Sequence, residues 1–151
     1  MKILDNITST VRDDLRVEIK KGSKVSIAAA CFSMYAYKEL KKQLESVDEF
    51  RFIFTRETSL YGTEFEIKLR NEMTQRAIAK ECADWIRKKA KFKSNTTGEN
   101  MTGFMTVDSK TAQTAYVPIN GFTTVDIGCE RGNNSYNIVN CMEAPFAQQY
   151  M

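Results

Sequence analysis

The run Lys24-Val25-Ser26-Ile27-Ala28-Ala29-Ala30-Cys31-Phe32 has no wet face. Both of its alternating sets are small or apolar, as in an inner strand covered by helices on both sides. Its alanines let a helix approach closely. A chain containing such a strand has to build layers around it. Ser33 can cap a following helix over 34–47, with Tyr37, Leu40 and Leu44 on its apolar side. Glu49-Phe50-Arg51-Phe52-Ile53-Phe54-Thr55 then reads as a second, aromatic-rich strand. Upstream, residues 8–21 read as a helix, because Val11, Leu15 and Ile19 recur at i, i+4 and i+8 and Gly22 can end it. The order helix, strand, helix, strand predicts a parallel strand pair with a right-handed connection.

The rest of the chain extends this plan. A polar loop over 56–63 leads into a long helix over 64–89. Ile67, Ile78, Cys82, Trp85 and Ile86 form its buried stripe, and Lys68, Arg70, Arg76, Lys80 and Arg87 lie largely outside it. Its end carries Arg87, Lys88, Lys89, Lys91 and Lys93, with no acid between Asp84 and Glu99. Two readings compete there. Cations at a helix C-terminus oppose its dipole, and a cation cluster can also track phosphates. Lys91-Phe92-Lys93 reads as a short strand and residues 95–100 as a turn-rich loop. Residues 103–108 and 115–124 read as two strands joined by a polar turn, the second running into the Gly/Asn loop Gly128-Cys129-Glu130-Arg131-Gly132-Asn133-Asn134. Strand ends that lead into such loops are where α/β domains usually keep their chemistry. A last helix is expected after Asn133, Asn134 or Ser135, with Tyr136, Val139 and Met142 inward and Pro145 as its stop.

Composition narrows the function. The chain has 151 residues, 42% hydrophobic and 27% charged, which suits one ordinary globular domain over 1–151. No apolar run reaches the roughly 20 residues of a membrane helix, and acid at Asp5 interrupts any signal-peptide core. The expectation is a cytoplasmic protein with no membrane partner. Cys31, Cys82, Cys129 and Cys141 are widely spaced without a C-x-x-C pair, which argues for reduced thiols over zinc ligands or disulfides. There is no histidine, which removes a Ser-His-Asp triad, a Cys-His pair, His-ligated metal and a His general base. Neither G-x-x-x-x-G-K-[ST] nor G-x-G-x-x-G occurs, so nucleotide binding has no support. The Asp13-Asp14 pair reads as a solvated helix face. The net charge of +3 is small, so only its distribution can matter.

The strand pair carries a resemblance. An acid after an alternating strand, followed by a second strand ending in Asn120-Gly121-Phe122-Thr123, resembles the active-site segment of phospholipase D-like domains. The run Val25 to Ser33 looks like their first strand, and Ala83-Asp84-Trp85-Ile86 before a basic strand looks like their approach to the catalytic motif. The runs Ser59 to Asn71, Ala79 to Trp85 and Asn120 to Asn134 are similar to the N-terminal phospholipase D-like region of large bacterial Swi/Snf-type helicases. The resemblance covers nearly the whole chain. It implies an α/β fold with a mixed, mainly parallel sheet flanked by helices on both faces. It also implies that the chain is the N-terminal piece of a longer, DNA-dependent helicase, an expectation that the abrupt end at Met151 fits. ATP and Mg belong to the motor of that parent chain, and this domain needs no cofactor.

In the family, a strand carries His-x-Lys and an Asp follows. The histidine forms a phospho-enzyme, and the lysine and a later asparagine hold the phosphate oxygens. By resemblance, Met101 stands where the histidine belongs, Gly103 where the lysine belongs, Asp108 at the family Asp and Asn120 near the phosphate-binding asparagine. A thioether and a glycine can do neither job. Three functions follow. The first is a non-catalytic nucleic-acid-binding or assembly module using Arg87, Lys88, Lys89, Lys91, Lys93 and Arg131. The second is a divergent phosphodiesterase or nuclease working through Asp108, Glu130 or a metal. The third is a homodimerisation module, since phospholipase D-like domains commonly pair at their active-site segments.

Overall fold

Lys24–Ala29 (β2) is the inner strand its composition requires. It pairs in parallel with Glu49–Phe54 (β3) on one side and antiparallel with Phe104–Asp108 (β5) on the other. The computed structural model describes residues 2–55, 72–94, 102–129, 138–143 and 146–147. The remaining strands are Lys2–Leu4 (β1), Ala90–Ser94 (β4), Gln113–Val117 (β6) and Val139–Glu143 (β7). The described helices are Val11–Glu18 (α1), Met34–Glu39 (α2), Lys41–Glu45 (α3) and Glu72–Lys89 (α4). The seven strands form one sheet in the order β1-β7-β6-β5-β2-β3-β4.

The sheet is mixed. β2–β3 and β3–β4 are parallel, and the other four pairings are antiparallel. The expected mixed α/β sheet is present, but it is not mainly parallel: four of its six pairings are antiparallel, because β5, β6, β7 and β1 add to β2 by alternating direction. Cross-strand partners share a face, so Phe92, Phe52, Ile27, Met105, Tyr116 and Cys141 form one row across the sheet. All four described helices pack on this face. Trp85 of α4 meets Phe50 edge-on at 4.7 Å and Tyr37 of α2 at 5.0 Å, and its indole N–H donates to the Leu44 carbonyl of α3 at 2.8 Å. α1 sits over β6 and β7, where the Tyr116 hydroxyl donates to Asp14 at 2.5 Å. Helices on the second face, which the sequence led us to expect, are not among the described residues.

Local chemistry explains most boundaries. The Thr10 hydroxyl accepts from Asp13 N–H to start α1, and the Ser33 hydroxyl accepts from Tyr35 N–H to start α2. α1 stops at Glu18, before Gly22, whose φ of +84° serves the turn into β2. The helix expected over 34–47 divides at Leu40, which leaves the helical region and buries its side chain completely. Two expectations are corrected. The described part of the last predicted helix is strand β7. Its alternation Val139 in, Asn140 half-buried, Cys141 in suits a sheet, and the gap between β1 and β6 decides the matter. Asp14 is not solvated: its side chain is 9% exposed, tied to Lys2, Tyr116 and, at 3.5 Å, the Cys141 thiol, whereas Asp13 is exposed.

Two expected results follow. Tyr116→Phe leaves the buried Asp14 carboxylate one donor short and is expected to cost about 1.5–2 kcal/mol, read from urea unfolding; an unchanged midpoint would contradict the role of this bond. All four cysteines are free thiols. Burial pushes Cys82 and Cys141 up to about 12, in Cys141 with help from Asp14. At pH 8 only roughly one in ten thousand of each is thiolate. Burial raises Cys129 too, but Cys31 and Cys129 are half-buried where Cys82 and Cys141 are buried, so iodoacetamide is expected to label the first two before the others, and equal labelling by mass spectrometry would contradict this.

Candidate nucleic-acid interface

The basic cluster read from the sequence separates into two groups. Arg87, Lys88 and Lys89 occupy the last turn of α4, where they oppose its dipole. The Arg87 guanidinium pairs with Asp84 at 3.2 Å, both largely exposed. The Lys89 ammonium donates to the Val47 carbonyl at 2.8 Å, which fastens the end of α4 to the core. Lys88 is exposed. These residues serve the helix. Lys91 and Lys93 do something else. They flank Phe92 on β4, so Phe92 enters the aromatic core and both lysines project from the face opposite the described helices.

β3 repeats this alternation. Phe50 and Phe52 point into the core, and Arg51 between them points out. The parallel register places Arg51 directly beside Lys91, and Ile53 beside Lys93. The Arg51 guanidinium is oriented by Ser26 of β2, whose hydroxyl accepts from Nε at 3.1 Å and Nη2 at 2.9 Å. Together with Glu49, Ala28, Ile53 and the half-buried Phe104 of β5, these residues line a depression of about 450 Å³. That volume lies in the range of small-ligand clefts, roughly 300–1,000 Å³. Three cations face one carboxylate there, and neither Lys91 nor Lys93 has an ion-pair partner among the described residues. The lysines also have a structural use, because β4 is the last described strand and charge discourages edge pairing. The arrangement can neutralise phosphate or another anion while offering an apolar wall.

The rim suggested by the resemblance is built differently from an open site. Gly103 and Asn120 do meet there: the Ile119 N–H donates to the Gly103 carbonyl at 2.9 Å, and the Ala30 N–H to the Asn120 carbonyl at 2.8 Å. The Asn120 side chain is exposed. Asp108 lies at the far end of β5, roughly 16 Å away along the strand, beside Lys24 and Gln113. It is not brought to Gly103 and Asn120. The rim is closed by backbone bonds from Phe122 N–H to the Cys31 carbonyl and from Ser33 N–H to the Phe122 carbonyl, at 2.8 and 2.9 Å. Asp126 acts with Thr123 as a cap. The Thr123 hydroxyl donates to its carboxylate at 2.6 Å and accepts from its N–H at 3.2 Å. Burial raises the Asp126 pKa against these bonds. Met101, Glu130 and Arg131 lie outside the described residues.

Arg51, Ser26 and Phe104 were not singled out from the sequence. The signal was present in Phe50-Arg51-Phe52 and Lys91-Phe92-Lys93, where a cation alternates with buried rings. It becomes a site only once the two strands are known to be adjacent and in register. No family model matches the sequence, and no curated protein matches it.

Proposed function

We propose that this chain is a phospholipase D-like module without catalytic histidine, of the kind that precedes the motor of Swi/Snf-type helicases, and that it contacts nucleic acid through the β3–β4 side of its sheet, where Arg51, Lys91 and Lys93 are exposed. The observation that carries the proposal is the set Arg51, Lys91 and Lys93 around one depression, with a single carboxylate among them. The phospholipase D-like arrangement is part of the proposal. It is supported by the order of β2, the Ser33-capped α2, β3, α4 and the basic β4, and by Gly103 and Asn120 meeting at one rim. The module makes no phosphohistidine, since the chain has no histidine. Lysine and arginine at an exposed face supply the sequence-independent, salt-sensitive part of nucleic-acid affinity. Fluorescence-anisotropy titration of a labelled oligonucleotide tests this. Binding by the wild-type chain that is lost on charge reversal of Arg51, Lys91 and Lys93 supports it, and binding unaffected by that reversal overturns it.

A further inference from the structure

We infer that Ser26 is a positioning residue for the cations of β3 and β4: it fixes the Arg51 guanidinium so that its outer edge takes a phosphodiester group as a two-pronged fork, with Lys91 beside it. The inference rests on the nucleic-acid reading and deepens it, naming the group that is gripped and the residue that sets the grip. Ser26, Arg51 and Lys91 are direct cross-strand partners on β2, β3 and β4. Neighbouring strands lie about 4.8 Å apart. Arg51 and Lys91 are therefore like charges placed directly opposite each other, an arrangement that is unfavourable in a sheet. Arg51 turns away from Lys91 and over β2, where the short side chain of Ser26 leaves it room. There the Ser26 hydroxyl accepts from Nε at 3.1 Å and from Nη2 at 2.9 Å.

The chemistry of that contact decides what remains for a ligand. A guanidinium carries its N–H donors in a planar fork. The Nε hydrogen and the Nη2 hydrogen on the same side form one edge, and Ser26 occupies that edge. The second Nη2 hydrogen and both Nη1 hydrogens remain, and Arg51 has no other hydrogen bond or ion pair among the described residues. One of these hydrogens from each nitrogen points outward in parallel, the pair that matches two oxygens of a phosphate. The group that holds the plane is a neutral hydroxyl, so Arg51 keeps its whole charge. Glu49, two residues away on the same strand and face, forms no ion pair with it. An exposed arginine loses rotamer freedom when it binds, and Ser26 removes part of that freedom before the ligand arrives. Lys91 adds a point charge beside the fork. Lys93 stands about 6.6 Å further along β4, where it meets the neighbouring phosphate of a chain.

The test is a fluorescence-anisotropy titration of the full chain with a fluorescein-labelled single-stranded 12-mer at 20–200 mM salt. Ser26→Ala removes the acceptor and no charge. It is expected to weaken binding about 3- to 10-fold, the range of one ordinary hydrogen bond, while the slope of log K against log salt stays as in wild type. Ser26→Thr keeps the hydroxyl and suits a strand, so its affinity is expected within about 2-fold of wild type. In an Arg51→Ala chain, Ser26→Ala is expected to have no further effect, because Ser26 acts through Arg51. Circular dichroism melting confirms that each variant is folded. Wild-type affinity in Ser26→Ala, a Ser26→Thr chain as weak as Ser26→Ala, or the same loss with and without Arg51 overturns the inference. Binding by the wild-type chain that is lost on charge reversal of Lys91 and Lys93 then leaves the nucleic-acid reading standing. No binding by the wild-type chain overturns both.

Discussion

Gly103→Lys, the change that puts the family's lysine back at its place in the resemblance, is expected to unfold the domain and to restore no phosphodiester chemistry. A Cβ on Gly103 would lie 1.6 Å from the Ile119 carbonyl oxygen, 2.8 Å from its carbon and 3.0 Å from the Ala28 carbonyl oxygen. All three are backbone atoms, so no side-chain rotation relieves the clash. Relief requires moving the segment after β6. That segment holds the bonds Ile119 N–H to Gly103, Ala30 N–H to Asn120, Phe122 N–H to Cys31 and Ser33 N–H to Phe122. Net losses of about 1 kcal/mol per bond, with about 1–3 kcal/mol for overpacking, place the cost above roughly 4 kcal/mol. Gly103→Ala should show most of it, because the clash begins at Cβ. Thermal unfolding followed by circular dichroism measures both variants. A Gly103→Lys protein melting within a few degrees of wild type would contradict the close-packed rim. The packing of this chain thus leaves no room for a side chain at 103.

Charge reversal on the β3–β4 side of the sheet is the second large effect. Lys91→Glu and Lys93→Glu together are expected to weaken oligonucleotide binding at least 100-fold at 50 mM salt, with Arg51→Glu adding to it. Each phosphate contact on a single strand contributes about −0.7 to the slope of log K against log salt, so the double variant should lose about 1.4 of that slope. Both lysines are exposed and carry no ion pair among the described residues, so stability should change by no more than about 0.5 kcal/mol. Arg87→Glu and Lys88→Glu provide the contrast. They lie on the helix side, where Arg87 is engaged with Asp84, and their effect on binding should be several-fold at most. Equal losses from both pairs would mean that diffuse charge, and not the β3–β4 face, governs binding.

Much of the scaffold is legible in the sequence because its signals are local. The apolar run at 24–29 gives the inner strand, Ser33 and Thr10 give caps, and the stripe Ile78, Cys82, Trp85 gives the long helix. The terminal elements are not legible. Lys2–Leu4 is too short to show a period, and Val139, Asn140, Cys141 and Met142 fit either a helix face or a strand. Their pairing with each other and with β6 makes them strands, and pairing is a tertiary fact. The same holds for Asp14. Its place on α1 looks like that of Asp13, and only Tyr116 and Lys2, more than ten residues away in either direction, make it a buried anchor. The candidate face was half legible. Lys91 and Lys93 are visible as charge, but Arg51, Ser26 and Phe104 come from three other strands, and only the register of the sheet collects them.

The most direct measurement is the affinity of the wild-type chain for a labelled single-stranded 12-mer across 20–200 mM salt. Three phosphate contacts through Arg51, Lys91 and Lys93 predict measurable binding at low salt and a log–log slope of about −2.1, reduced to about −0.7 in the Lys91→Glu, Lys93→Glu chain. No binding at 20 mM salt, or a slope identical in the two chains, would contradict a nucleic-acid-binding role for Arg51, Lys91 and Lys93.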